Sequence, residues 1–135
     1  MKTILPINFI YPDIKPETFI FGKNEVVGEV LREDGDWRDY LPPEELQRRN
    51  NIESSACFCE AQQHVIATIL EEQYWDADNN YSARFNALLS NGTEYGGDPL
   101  ACGQSIRHDG LIKEETMPFD NSIQSWSDYH SFKSV

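Results

Sequence analysis

The sequence predicts an α+β fold in which helix dominates, on three observations. From Ala56 to Glu72 there is neither Gly nor Pro, while apolar residues recur at helical spacing. Two further helical stretches, Tyr81 to Leu89 and Pro99 to His108, each run into a glycine, at Asn91-Gly92 and at Gly110. Residues 1–42 are instead rich in proline and β-branched residues, with Thr18-Phe19-Ile20-Phe21 and Val26-Val27-Gly28-Glu29-Val30 as short strand candidates around a Gly-Lys-Asn turn.

Taken in order, residues 1–42 read as an extended segment wrapped on the rest. Pro42-Pro43-Glu44-Glu45-Leu46-Gln47 sets proline and then acid at the positive end of a helix dipole, which predicts a short helix. In the main helix, Ala61, Val65, Thr68 and Ile69 form an apolar stripe that Ile66 and Leu70 widen, as a buried central helix requires. Glu53-Ser54-Ser55 supplies its cap, which puts Cys57 in the first turn. After the third helix, Leu111-Ile112 and Met117-Pro118-Phe119 predict a return strand or extended segment. Residues 121–135 form a polar tail with a short helix around Trp126. The 135 residues are enough for a single core, so the chain reads as one domain: segment 1–42, a helical lobe over 43–120, and the tail.

Charge removes several function classes. Eleven Lys and Arg against 23 Asp and Glu give a net charge of −12, a field that repels phosphate backbones and anionic membrane surfaces. Neither nucleic acid nor membrane is expected as a partner. With 39% hydrophobic and 12% aromatic residues, the chain can still bury a core, so it is not a disordered acidic tail. Met1 to Pro6 lacks the pattern of a secretory signal, and no window approaches the roughly 18 to 20 apolar residues of a membrane span. Cys57, Cys59 and Cys102 are odd in number and show no zinc spacing, which favours a reducing compartment such as the cytoplasm, with at least one free thiol. The triplets Asn80-Tyr81-Ser82 and Asn91-Gly92-Thr93 then carry no glycosylation.

Cys57 is the position with chemical content. Free amides and partial positive charge at a helix N-terminus favour thiolate, the nucleophilic form. A free cysteine also serves as a small buried hydrophobe, and both readings stand on the residues alone. Cys59 lies about 200° around the helix from Cys57, so the two do not share a role.

Gly96-Gly97-Asp98-Pro99, followed by Ala101, Ile106, Gly110-Leu111-Ile112 and Glu115-Thr116-Met117-Pro118-Phe119, resembles the papain-like cysteine peptidases from their double glycine to their Tyr-Pro-Tyr-like close. Asp36-Trp37-Arg38 is similar to a motif near the family's mature N-terminus, and Ser55-Ala56-Cys57 with its helix to the nucleophile helix. The resemblance covers residues 36–120 and is nearest to divergent bacterial and phage-type members. It implies the left, helical lobe of that fold. It also implies peptide-bond hydrolysis with Cys57 as nucleophile, Cys59 being the alternative. Gln47, or else Asn51, would be the oxyanion donor beside the cysteine's own amide. Gly96 and Gly97 would meet the substrate backbone, with Asp98 and Pro99 near a side-chain pocket where an acid favours basic or polar substrates.

The departures are equally specific. The family's catalytic His and Asn come from a second, β-rich half, and none of His64, His108 and His130 matches that position. Phe58 stands where the family has Trp, and its disulfide partners are absent. The resemblance therefore implies a chain that is inactive alone and acts on a peptide or protein substrate once a second lobe or partner chain supplies the His. No cofactor or metal is implied. The alternatives are a non-catalytic papain-like structural or protein-binding module, for example in a phage particle, and a small acidic interaction protein.

Overall fold

A computed structural model describes residues 33–75 and 78–132 of the protein. The strand candidates at 18–21 and 26–30 lie outside the described residues. Within them the chain is mixed, with one antiparallel hairpin, β1 (Arg48–Arg49) and β2 (Ile52–Glu53), and the helices α1 (Cys57–Tyr74), α2 (Ala83–Leu89), α3 (Pro99–Asp109) and α4 (Trp126–Tyr129). The α+β class holds.

The short helix expected over 42–47 does not form; those residues take no regular element, and the hairpin follows them. Asn50 and Asn51 both take positive φ, 50° and 66°, which is the backbone of a two-residue turn whose twist matches paired strands. Arg48 then faces Glu53 and Arg49 faces Ile52, and the Ser54 N–H donates to the Gln47 carbonyl at 2.6 Å. The Asn50 side chain donates to the carbonyls of Asn121 and Ile123, which pins the hairpin to the C-terminal segment.

The three long helices sit where the sequence puts them, for legible reasons. α1 has no breaker in 18 residues and ends on Trp75 in the left-handed region, φ 58°. At its start the cap differs from expectation. Ala56 occupies the cap position, Ser54 Oγ accepts the Ala56 N–H, and Ser55 instead donates to the Glu94 carbonyl. Ser82 caps α2 by accepting the Phe85 N–H, and its hydroxyl donates to the Met117 carbonyl. Asp98 caps α3 through the Leu100 N–H at 2.8 Å, Pro99 fills the first turn, and Gly110 at φ 82° ends it. Beyond α3 the expected return strand is reduced to an isolated bridge between Tyr81 and Lys113 and a 3-10 turn at Glu114–Thr116.

α1, α2 and α3 pack on one another around small side chains: Ala56, Cys59, Ala83, Ala87 and Cys102, with Phe58, Ile52, Ile123 and Tyr129 closing the ends. This rotates the buried face of α1 away from the expected stripe, of which Thr68 alone is fully buried. Ala61 is exposed and Val65 is 60% exposed, whereas Phe58, Cys59, Glu60, Gln63 and Ala67 are buried. Small residues let the helices approach closely, and the space is filled by hydrogen-bonded polar groups. Gln63 donates to the Ser82 carbonyl and to Asn86 Oδ1, and Asn86 donates to Ser105 Oγ and the Gly110 carbonyl. The displaced stripe, Val65 and Ile69 with Thr68, lines an apolar groove of about 350 Å³ with Trp37, Leu41 and His64. No helix among the described residues is long and apolar enough to cross a membrane.

Candidate active site

Cys57 opens α1 and is half-buried, while Cys59 is fully buried on the opposite side, as the helical spacing requires. Its surroundings are built by three returning segments. The hairpin brings Gln47, ten positions earlier, back beside Ser54 through their shared backbone bond. The loop before α3 is tied to the head of α1 by the bond from Ser55 to Glu94 and by Phe58, whose ring tip rests against Gly97. A Cβ on Gly97 would stand 2.3 Å from the Phe58 ring, so a side chain there is excluded by packing, and Gly96 needs glycine for its φ of 108°. No protein-family model, curated protein or solved structure matches the chain.

The structure thus brings Cys57, Gln47, Gly96 and Gly97 to one end of α1, but not every expected residue. Asn51 sits exposed at the hairpin tip, where its left-handed backbone serves the turn. Both glycines are buried, with Gly97 under Phe58, so their constraint here is packing and turn geometry instead of an open backbone edge. Asp98 spends its carboxylate on the cap of α3, which leaves Pro99, half-buried in the first turn, as that helix's start. His64 faces the apolar groove, where burial lowers its pKa, and His108 is at the far end of α3. His130 stacks on Trp126 at 4.8 Å, and burial and Arg84 lower its pKa.

The thiol itself corrects an expectation. Backbone N–H groups of Phe58 and Cys57 do favour its thiolate, but burial outweighs them, and the carboxylates of Glu60 and Glu53 add to it, so the Cys57 pKa is raised. Cys59 is held protonated far more firmly, by its hydrogen bond with Cys102 and by burial. That leaves Cys57 the more accessible sulfur and Cys59 a packing residue.

Sequence reasoning missed a polar cavity of about 80 Å³ on the buried side of α1. Glu45, Glu60 and Glu114 line it with Arg49, Arg84 and Tyr129. Burial, with the charges of Glu114 and Glu60 added, pushes Glu45 to about 8; burial, with Glu53 and Glu114 added and Gln47 opposing, pushes Glu60 to about 7; and burial raises Glu114 as well. Among the described residues, no group of three His, Cys, Asp or Glu side chains could hold a metal ion. The available signal was Glu60 and Gln63 at helical spacing with Ala67, a polar face that hydropathy discards.

These carboxylates set the pH dependence of stability. Their folded pKa values lie above the unfolded ones, so between about pH 5 and 8 the folded state holds more protons and stability falls as pH rises. We expect urea unfolding to show a loss on the order of 2 kcal/mol across that window, and Glu45→Gln to flatten it. A variant as pH-sensitive as wild type would remove Glu45 from the cause. Gly97→Ala is expected to cost about 1–3 kcal/mol by forcing the Phe58 ring out of place, with Phe58→Leu recovering part of it. Thermal unfolding of the single and double variants checks this.

Proposed function

We propose that this chain is the cysteine-bearing helical lobe of a papain-like cysteine peptidase, with Cys57 as nucleophile and Gln47 as oxyanion donor. The supporting observation is the convergence at the head of α1. A residue ten positions upstream and a double glycine 40 positions downstream both return to the helix that begins at Cys57, through the hairpin and through Phe58 on Gly97. Acyl transfer needs a sulfur, an N–H pair for the oxyanion, and a wall against which a peptide can lie. The first two come from Cys57, its own amide and Gln47. The base would come from a second lobe, on this chain or on a partner, meeting the half-exposed side of Cys57. Hydrolysis would then proceed by attack of the sulfur on the scissile carbonyl, loss of the amine with the proton taken from the thiol, and release of the acid by water. No cofactor enters.

A second reading, a non-catalytic papain-like binding module, is favoured by the raised Cys57 pKa and by the burial of both glycines. Thiol labelling across pH separates the two. A peptidyl epoxysuccinate is offered with and without candidate second-lobe protein, and adducts are mapped at Cys57, Cys59 and Cys102. The peptidase reading expects labelling at Cys57 alone, and at lower pH with the partner than without it. Labelling that waits for unfolding, or that spreads over all three cysteines, supports the binding module.

A further inference from the structure

Val65, Thr68 and Ile69 share a face of α1 with His64, and Trp37 and Leu41, at the two ends of the 3-10 turn Arg38–Tyr40, complete the apolar groove of about 350 Å³ beside them. None of these residues belongs to the core cluster, and Leu41 at 56% and Val65 at 60% exposure leave apolar surface facing water. A contiguous apolar surface of this kind marks a docking site. The backbone just before Trp37 turns toward it. Glu33 and Asp34 form a turn, the Asp36 N–H donates to Asp34 Oδ1 at 3.0 Å, and Gly35 sits at φ 66°. Nothing lies within 4 Å of a Cβ built on Gly35, so glycine serves the backbone there and not close packing. A turn followed by a left-handed glycine is a loop that reverses an extended chain, and it sends the residues before Glu33 back alongside Trp37 and Leu41.

We propose that the segment Val26-Val27-Gly28-Glu29-Val30-Leu31 closes the groove of its own chain, its valine and leucine side chains covering Leu41, Val65 and Ile69. The segment is apolar at four of its six positions, and Val26 lies seven positions before Glu33. Seven residues reach roughly 25 Å, well beyond the roughly 8 Å of α1 from His64 to Ile69. Charge selects the same occupant. Residues 1–32 carry four Lys and Arg against four Asp and Glu, so the whole −12 belongs to residues 33–135. A second copy would bring −12 against −12, whereas this segment comes without that repulsion and on a short tether that keeps its local concentration high. The strap lies on the face of α1 turned away from the core and does not depend on the role of Cys57.

The test uses the full chain. Methyl-labelled protein is expected to show nuclear Overhauser contacts from Val26, Val27 or Val30 to Val65 and Ile69, and a sample mixing labelled with unlabelled copies is expected to show none between molecules. Contacts between copies would make a second chain the occupant and overturn the proposal. Absence of any contact overturns it as well, and an apolar dye bound by the wild-type protein would then mark the groove as open to another protein. Trypsin, which cuts after Lys23 and Arg32, gives an independent reading. Val65→Asp puts a charge into the groove at an exposed position outside the core, and is expected to speed cleavage at Arg32 at least about tenfold, since cutting follows the undocked fraction. Val27→Asp combined with Val30→Asp is expected to do the same and to let the dye bind. Equal cleavage rates in all three proteins overturn the proposal.

Discussion

Arg84→Met is expected to lower the unfolding free energy by about 3–5 kcal/mol, among the largest effects any single change in this chain should produce. Arg84 is 5% exposed and, among the described residues, makes no ion pair that would explain its depth. It spends its donors on main-chain oxygens instead: Nε on Tyr129 at 2.7 Å, Nη1 on Pro118 at 3.0 Å, and Nη2 on Asp128 at 2.6 Å and Ser131 at 2.9 Å. It also lies 5.8 Å from the Tyr129 ring centre. Methionine fills similar volume but takes the guanidinium donors from all four carbonyls; Asp128 keeps the Ser131 N–H and hydroxyl, and each of the others left orphaned costs about 1–3 kcal/mol unless water reaches it. Lysine is expected to recover little, since one ammonium cannot span four oxygens. Urea denaturation gives the magnitude. Amide hydrogen exchange gives the place: protection at Tyr129 to Ser131 is expected to fall before protection in α1, and equal loss everywhere would refute the clamp.

The second large effect is expected at Asn86, which is 0% exposed. Its side chain joins three helices, accepting from Gln63 on α1 at 2.6 Å and donating from α2 to Ser105 on α3 and to the Gly110 carbonyl just beyond it. Asn86→Leu keeps the volume and removes every side-chain bond; Gln63 retains the Ser82 carbonyl and Ser105 retains Asp109, but one Gln63 N–H and the Gly110 carbonyl lose their side-chain partner at the centre of the three helices, for an expected loss of about 2–4 kcal/mol. Pairing Asn86→Ala with Ser105→Ala in a double-mutant cycle should show coupling of about 0.5–3 kcal/mol, because the two belong to one network. Additive losses would mean that each packs independently.

Much of the fold was legible because it is written locally. Absence of breakers set α1, Ser82 and Asp98 capped α2 and α3, and Gly110 closed the third helix. The hairpin was misread because Pro43-Glu44-Glu45 favours a helix start, while Asn50-Asn51, a pair that tolerates left-handed backbone, signals a tight turn more specifically. The face of α1 was misread for a different reason. Hydropathy selects Val65 and Ile69, but the core selects side chains small enough for close helices or able to bond across them, and those partners are distant in sequence. The same distance hid the carboxylates around Glu60. A helix N-terminus beside Cys57 can be read from order alone; the acids that oppose its thiolate gather only on folding.

The Arg84 clamp bears on how this protein can change. All four of its acceptors are peptide oxygens, so, apart from the Tyr129 ring, the side chains at positions 118, 128, 129 and 131 are not what its hydrogen bonds recognise. Substitutions at those positions leave the acceptors in place, whereas a single-residue insertion or deletion between Pro118 and Ser131 moves them out of register. Where the segment does not enter the core, as Ile123 and Tyr129 do, the clamp leaves its composition free while holding its length strictly, with Arg84 as the residue that measures it.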